Sequence, residues 1–145
     1  MDDNADDGAL RRRFADARVA HLATADRAGR PHLVPMTFAC CLQAGGDVIY
    51  SAVDAKPKST RRLKRLANIA ANPAVSVLVD HYDESWDQLW WVRADGVADV
   101  VTGGAQFNAG LEALAAKYRQ YRDVRPAGPV VVVRVGAWRS WAAAG

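Results

Sequence analysis

Cysteine is nearly absent. The 145 residues hold two, Cys40 and Cys41, and they are adjacent. Neighbours in a strand point to opposite faces, so this pair is badly placed to bond to itself. Without a disulfide framework the sequence points to a reducing compartment and to cysteines used for packing. No run approaches the ~20 apolar residues of a membrane span. The opening segment, Met1 to Gly8, is acidic and polar, and lacks the basic-then-apolar order of a secretory signal. A soluble cytoplasmic protein, with no membrane partner, is the expectation.

Motifs for protein-borne chemistry are scarce as well. There is no Gly-x-Gly-x-x-Gly and no Walker lysine loop. His21, His32 and His81 are scattered without metal-ligand spacing, so no metal site is expected. Asp80, Asp83, Glu84 and Asp87 gather beside His81, but no calcium-loop pattern accompanies them, and the stretch reads as a loop. No nucleophile–base pair stands out, and catalytic residues stay unassigned. An enzyme so equipped takes its chemistry from a cofactor.

What is present suits one packed domain. Half of the chain is hydrophobic, enough for a core without staples. Residues 1–6 read as a disordered acidic tail and 7–145 as a single domain. Asp7 can cap a helix to about Arg18, with Leu10, Phe14 and Ala17 on one face. Strands follow at Val19–Thr24, His32–Leu42 and Asp47–Val53, joined by turn chemistry at Asp26–Pro31 and at Gly45-Gly46. These three make an antiparallel meander. Ser59–Ala71 has helical spacing at Leu63, Leu66, Ala67 and Ala70, and Asn72-Pro73 ends it. Strands are expected at Ala74–Val79 and at Leu89–Val101, the latter bent at Gly96. A third helix, Thr102–Tyr121, and a last strand, Val130–Trp141, complete the chain. The order α-βββ-α-ββ-α-β does not alternate as an open parallel sheet would. It predicts a mainly β fold with flanking helices, a six-stranded antiparallel barrel.

The formal charge is +3, but Asp2, Asp3, Asp6 and Asp7 sit in the first seven residues; without them 19 basic face 12 acidic residues, or +7. The excess peaks in Lys56-Pro57-Lys58-Ser59-Thr60-Arg61-Arg62-Leu63-Lys64-Arg65, six basic residues and no acid, where a strand ends and a helix begins. Cations at a helix N-terminus oppose its partial positive charge, and Arg61, Arg62 and Arg65 repel at i+3 and i+4. An anion held by the first-turn N–H groups would remove the conflict. The alternatives are a solvated helix face or a nucleic-acid surface. No nucleic-acid motif supports the latter. Five tryptophans are the other excess: Trp86, Trp90, Trp91, Trp138 and Trp141. Core and interface packing accounts for most of them, with one or two free to border a flat ring.

Several segments together resemble the flavin/deazaflavin oxidoreductase branch of the pyridoxamine 5′-phosphate oxidase-like superfamily. They are Val19–Thr24, Gly29-Arg30-Pro31-His32-Leu33-Val34-Pro35-Met36, Ile49-Tyr50-Ser51, Lys56-Pro57-Lys58, Leu63–Ile69 and Asn72-Pro73. The resemblance implies the FMN-binding split β-barrel and a homodimer with cofactor sites between subunits. It implies that Val34, Pro35 and Met36 flank the cofactor ring through their backbone, while Tyr50, Ser51, Lys56 and Lys58 meet the phosphate. Trp90, Trp91 and Trp138 would fall near the cleft. Vitamin B6 oxidases carry an Arg- and His-containing terminal segment, whereas here Trp138-Arg139-Ser140-Trp141-Ala142-Ala143-Ala144-Gly145 is found. The deazaflavin-using members are closer. Coenzyme F420 carries a phosphodiester and glutamate carboxylates, which suit six cations, with Arg61, Arg62 and Arg65 available to the tail. The expectation is an F420-dependent reductase acting on a small unsaturated molecule, with Tyr50 and Arg139 as proton donors if they lie over the ring. The alternatives are an FMN enzyme of the same fold and a non-catalytic flavin, deazaflavin or haem carrier.

Overall fold

The computed structural model describes the backbone of residues 4–53 and 60–143, and the side chains of 8–53 and 64–143. In chain order the elements are α1 (Asn4–Asp16), β1 (Ala20–Ala25), β2 (Pro31–Met36), β3 (Ala39–Cys41), β4 (Val48–Ala52), α2 (Thr60–Ala71), β5 (Ala74–His81), β6 (Trp90–Val101), α3 (Gly104–Lys117), α4 (Arg119–Asp123) and β7 (Val130–Ala142). A single 3-10 turn, Trp86–Gln88, precedes β6.

All seven strands join one antiparallel sheet in the order β2-β1-β5-β6-β7-β4-β3. Its two edge strands, β2 and β3, are consecutive in the chain and separated only by Thr37 and Phe38. Three peptide steps reach at most ~11 Å. Seven strands laid flat would put the edges roughly 29 Å apart. The sheet must therefore curl until its edges meet, which is the split-barrel form expected. Among the described residues the strands number seven, not six. The long strand expected over His32–Leu42 breaks at Thr37–Phe38 and serves both edges, so the three-strand meander is two separate hairpins. Pro35, which has no N–H to give, is tolerated because β2 is an edge.

Turn residues behave as their chemistry requires. The Asp26 carboxylate accepts the N–H groups of Ala28 and Arg30, each at 2.9 Å, and Gly29 supplies the positive φ of 89°. Those bonds hold the Asp26 carboxyl below the usual carboxylate range. At Gly96 the β6–β7 register shifts, as a bulge does. A Cβ there would run into the Arg134 carbonyl oxygen.

The curled sheet encloses one core. Leu22, Ile49, Val77, Val92, Val131 and Val133 face inward, joined by Phe14 from α1 and Ile69 from α2. Helix α3 covers the outer side of β4 and β7, where Phe107 and Leu111 pack on Tyr50, Val130 and Val132. Strand β7 is thus buried on both faces here, and Val130–Val133 are each no more than 1% exposed. This accounts for an unbroken valine run instead of an alternating one. Each such burial contributes about 1.5–3 kcal/mol.

Two helices depart from expectation. Among the described side chains of α2 the buried positions are Asn68 and Ile69, while Ala67 and Ala70 are exposed; the side chain of Leu63 lies outside the described residues. The Asn68 side-chain amide donates to Thr24 Oγ1 at 3.1 Å, and both groups are buried. A polar residue satisfied in this way is invisible to hydrophobic periodicity. The helix expected over Thr102–Tyr121 is split. Tyr118 adopts extended backbone (φ −116°, ψ 124°), ending α3 and preceding α4.

Candidate functional site

The barrel seam is also where polar groups gather. Pro35, Met36 and Thr37 form one wall of a cleft of about 170 Å³. The end of β4 forms its floor at Ser51, and Arg65 of α2 and Tyr121 of α4 border it. The Ser51 hydroxyl donates to the Thr37 carbonyl at 2.7 Å. The Thr37 and Tyr121 hydroxyls lie 2.9 Å apart and share a hydrogen bond. One step along, the Phe38 N–H donates to the Tyr118 hydroxyl, which itself donates to the Arg18 carbonyl at 2.7 Å. Burial pushes the Tyr118 phenol up, so it stays a neutral donor at physiological pH. The α3–α4 junction thereby pins the seam in place.

Below this junction Lys117 and Arg18 tie the end of α3 to the segment that follows α1. Lys117 Nζ donates to the Ala17 carbonyl at 2.6 Å, and Arg18 donates to the Lys117 carbonyl at 3.1 Å. Lys117 Nζ also sits 3.8 Å from the Phe38 ring centroid. Desolvation brings the Lys117 ammonium down to about 8, and desolvation raises the nearby Cys40 thiol to about 12. A thiol so raised is a packing group at neutral pH.

Of the residues singled out from sequence, the structure brings Pro35, Met36 and Ser51 together. Val34 turns inward against the core. Strand alternation sends Tyr50 to the opposite face from Ser51. Its hydroxyl donates to Gln106 Oε1 at 3.0 Å under α3, away from the cleft. Trp90 stacks on His81 with centroids 5.8 Å apart, and the Arg13 guanidinium lies 5.5 Å from its ring centroid. Trp138 packs edge-on against Phe14 and donates its indole N–H to Asp47 at 2.9 Å. Within one chain, then, Trp90 and Trp138 are set against α1, not against the seam. Trp91 points outward beside Arg93. Arg139 lies across from Arg93 in the β6–β7 ladder. Lys56 and Lys58 lie outside the described residues, as does the side chain of Arg61, whose backbone belongs to the first turn of α2.

Sequence reading missed Thr37 and Tyr121. Thr37 sits in what reads as continuous strand, and Tyr121 in what reads as the end of a longer helix. The only available signal was the length of His32–Leu42, well above the usual 5–6 residues of a strand.

A family model described as pyridoxamine 5′-phosphate oxidase matches residues 7–142. The chain belongs to the pyridoxamine 5′-phosphate oxidase family. Among curated proteins none matches it. Solved structures with the same fold include an FAD-binding protein from Mesorhizobium loti, at 19% identity, TM-score 0.67 and coverage of 91% of each chain. The haem storage protein HutZ from Vibrio cholerae is similar at 16% identity and TM-score 0.65, over 98% of this chain and 95% of that one. A putative 5-nitroimidazole antibiotic resistance protein from Bacteroides thetaiotaomicron follows at 14% identity and TM-score 0.69, over 97% and 84%. The same fold thus occurs in proteins named for FAD binding and for haem storage. Among the described residues no helix is long and apolar enough to cross a membrane, and no group of three or more His, Cys, Asp or Glu could hold a metal ion.

Proposed function

We propose that this family member binds coenzyme F420 in the seam cleft and works as a homodimeric F420-dependent oxidoreductase on a small unsaturated organic molecule. The observation that carries this reading is the chemistry of the cleft. An apolar wall, Pro35 and Met36, meets the hydroxyls of Ser51, Thr37 and Tyr121 and the cation of Arg65. A flat ring with a polar, anionic side chain needs such a division. Helix α2 has no acid in its first turn, so its first-turn N–H groups favour an anion there. Lys56 and Lys58 lead into that turn and are the proposed phosphate ligands, with Arg61 toward the carboxylate tail.

A bound deazaflavin would supply the hydride. The chain contributes orientation, a dry wall and charge. The homodimer reading draws on the outer face of β2, β1, β5, β6 and β7. Leu33 is 67% and Trp141 47% exposed there, and Trp141 pairs across strands with Trp91. Phe14 of α1 and Ile69 of α2 pack on the inner side instead. An obligate interface of about 2,000 Å² or more would cover this face, with Leu33, Trp91 and Trp141 at its centre.

Side-by-side titration of the purified protein with F420 and FMN is the test. Tighter binding of F420, followed by hydride transfer to an unsaturated acceptor, is expected. Preference for FMN would move the protein to the flavin enzymes of its fold, and a haem Soret band without turnover would make it a carrier. Sedimentation should give twice the chain mass.

A further inference from the structure

The Thr37–Tyr121 hydroxyl pair has one proton more than its own hydrogen bond uses. Each hydroxyl carries a single hydrogen, and the 2.9 Å bond between them consumes one. Among the described residues the second proton meets no acceptor. Both side chains border the cleft, with Arg65 across from them. The Thr37 carbonyl is already engaged by Ser51. A hydroxyl donor that opens on the cleft calls for an oxygen acceptor there. The phenol is the more acidic of the two hydroxyls, so it is the better terminal donor, and a Thr37 hydroxyl donating into it strengthens it further.

We infer that Tyr121 is a binding residue of the cleft, donating its hydroxyl proton to an oxygen of the cofactor's ribityl-phosphate side chain, with Thr37 as the positioning residue behind it. This rests on the flavin-or-deazaflavin reading of the cleft. It assigns a role to α4, an element on which sequence placed no site. Tyr121 is held for this task, since its ring packs edge-on against Tyr118 at 5.7 Å, and Tyr118 is itself anchored to the seam. A short helix joined to α3 through one extended residue thereby carries a ligand contact to the point where the two sheet edges meet.

The experiment compares wild type with Tyr121→Phe, Thr37→Val and Thr37→Ser. Each is titrated with F420 and with FMN, and, for whichever binds wild type, with its phosphate-free riboside and its bare methylated ring. Tyr121→Phe should weaken the full cofactor about 10-fold or more if the acceptor is a phosphate oxygen, and about 3-fold if it is a ribityl hydroxyl. The riboside tells these apart, being affected only in the second case. The bare ring should bind all four proteins equally. Thr37→Val should lose less than Tyr121→Phe, and Thr37→Ser should bind as wild type. Unchanged cofactor affinity in Tyr121→Phe overturns the inference. So does an equal loss for the bare ring, or a larger loss in Thr37→Val. If wild type binds neither F420 nor FMN, the cofactor reading itself fails and the inference with it. Binding by wild type with no change in Tyr121→Phe removes the inference alone.

Discussion

Removing the carboxylate of Asp47 should destabilise the fold strongly, although this residue lies just ahead of β4 at the end of a hairpin turn. The Asp47 side chain is only 9% exposed and accepts three donors. These are the Trp138 indole N–H at 2.9 Å, the Gln43 backbone N–H at 3.0 Å and the Arg11 guanidinium at 3.3 Å. The three are not equal. Trp138 is partly buried and cannot turn to water, so losing a charged acceptor costs it about 1.5–3 kcal/mol. Arg11 is 40% exposed, and its pair contributes at most about 1 kcal/mol. Gln43 lies in an exposed turn where its N–H can find water. Asp47→Ala should therefore lose about 2–4 kcal/mol, or roughly 5–12 °C in Tm for a chain of this size. Urea denaturation followed by circular dichroism reads this. A double-mutant cycle sharpens it, because Asp47→Ala and Trp138→Phe act on one bond. Together they should cost about 1 kcal/mol or more less than the sum of the two. A loss under about 0.5 kcal/mol in Asp47→Ala, or strict additivity in the cycle, would refute the claim that this carboxylate holds Trp138 and α1 in place.

Gly96→Ala forces a methyl group onto the Arg134 carbonyl at the β6–β7 bulge and should cost about 1–3 kcal/mol, read by the same denaturation; wild-type stability would mean the bulge has room. With Cys41 replaced by serine, Cys40 should resist Ellman's reagent at pH 8 in the native protein and react at once in urea, since burial holds its thiol near 12; rapid native reaction would contradict that burial. Lys117 releases its proton near pH 8 when folded and near 10.5 when unfolded, so unfolding takes up a proton in that window and stability should rise with pH there. At this half-buried site the rise should be about 1 kcal/mol after screening by solvent, and Lys117→Met should abolish it. Above pH 9 the Cys40 thiol works the other way, because it ionises only in the unfolded chain, so the measurement is made in a Cys40→Ala background. Lys58→Ala should weaken F420 about 10- to 150-fold while leaving the phosphate-free riboside unchanged; equal losses on both ligands would place the lysine away from the anion.

Local sequence determined most elements and their order. Alternation in Ala20, Leu22 and Thr24, the glycines of two turns, Asn72-Pro73 after α2 and the valine run of β7 each follow from short-range pattern, and each is found in the structure. The bend at Gly96 was legible because a glycine inside a strand pattern marks a close approach of backbone. Family membership was legible too, from motifs spread along the chain, and Pro35, Met36 and Ser51, which the resemblance grouped, line one cleft in the structure. Asn68 was not, because periodicity counts apolar side chains and cannot tell a solvated asparagine from one buried against Thr24.

Tertiary structure alone decided the break at Thr37–Phe38. Both residues are good strand formers, and nothing local interrupts them. The break exists because one chain must serve both edges of a sheet that curls, and that constraint is set by strands more than a hundred residues apart. The cleft follows from the same closure. Tyr121 reaches Thr37 only because α4 lies over the seam, 84 positions along the chain from it. Residue type and spacing determined which groups this chain owns; the meeting of two sheet edges decided which of them face one another.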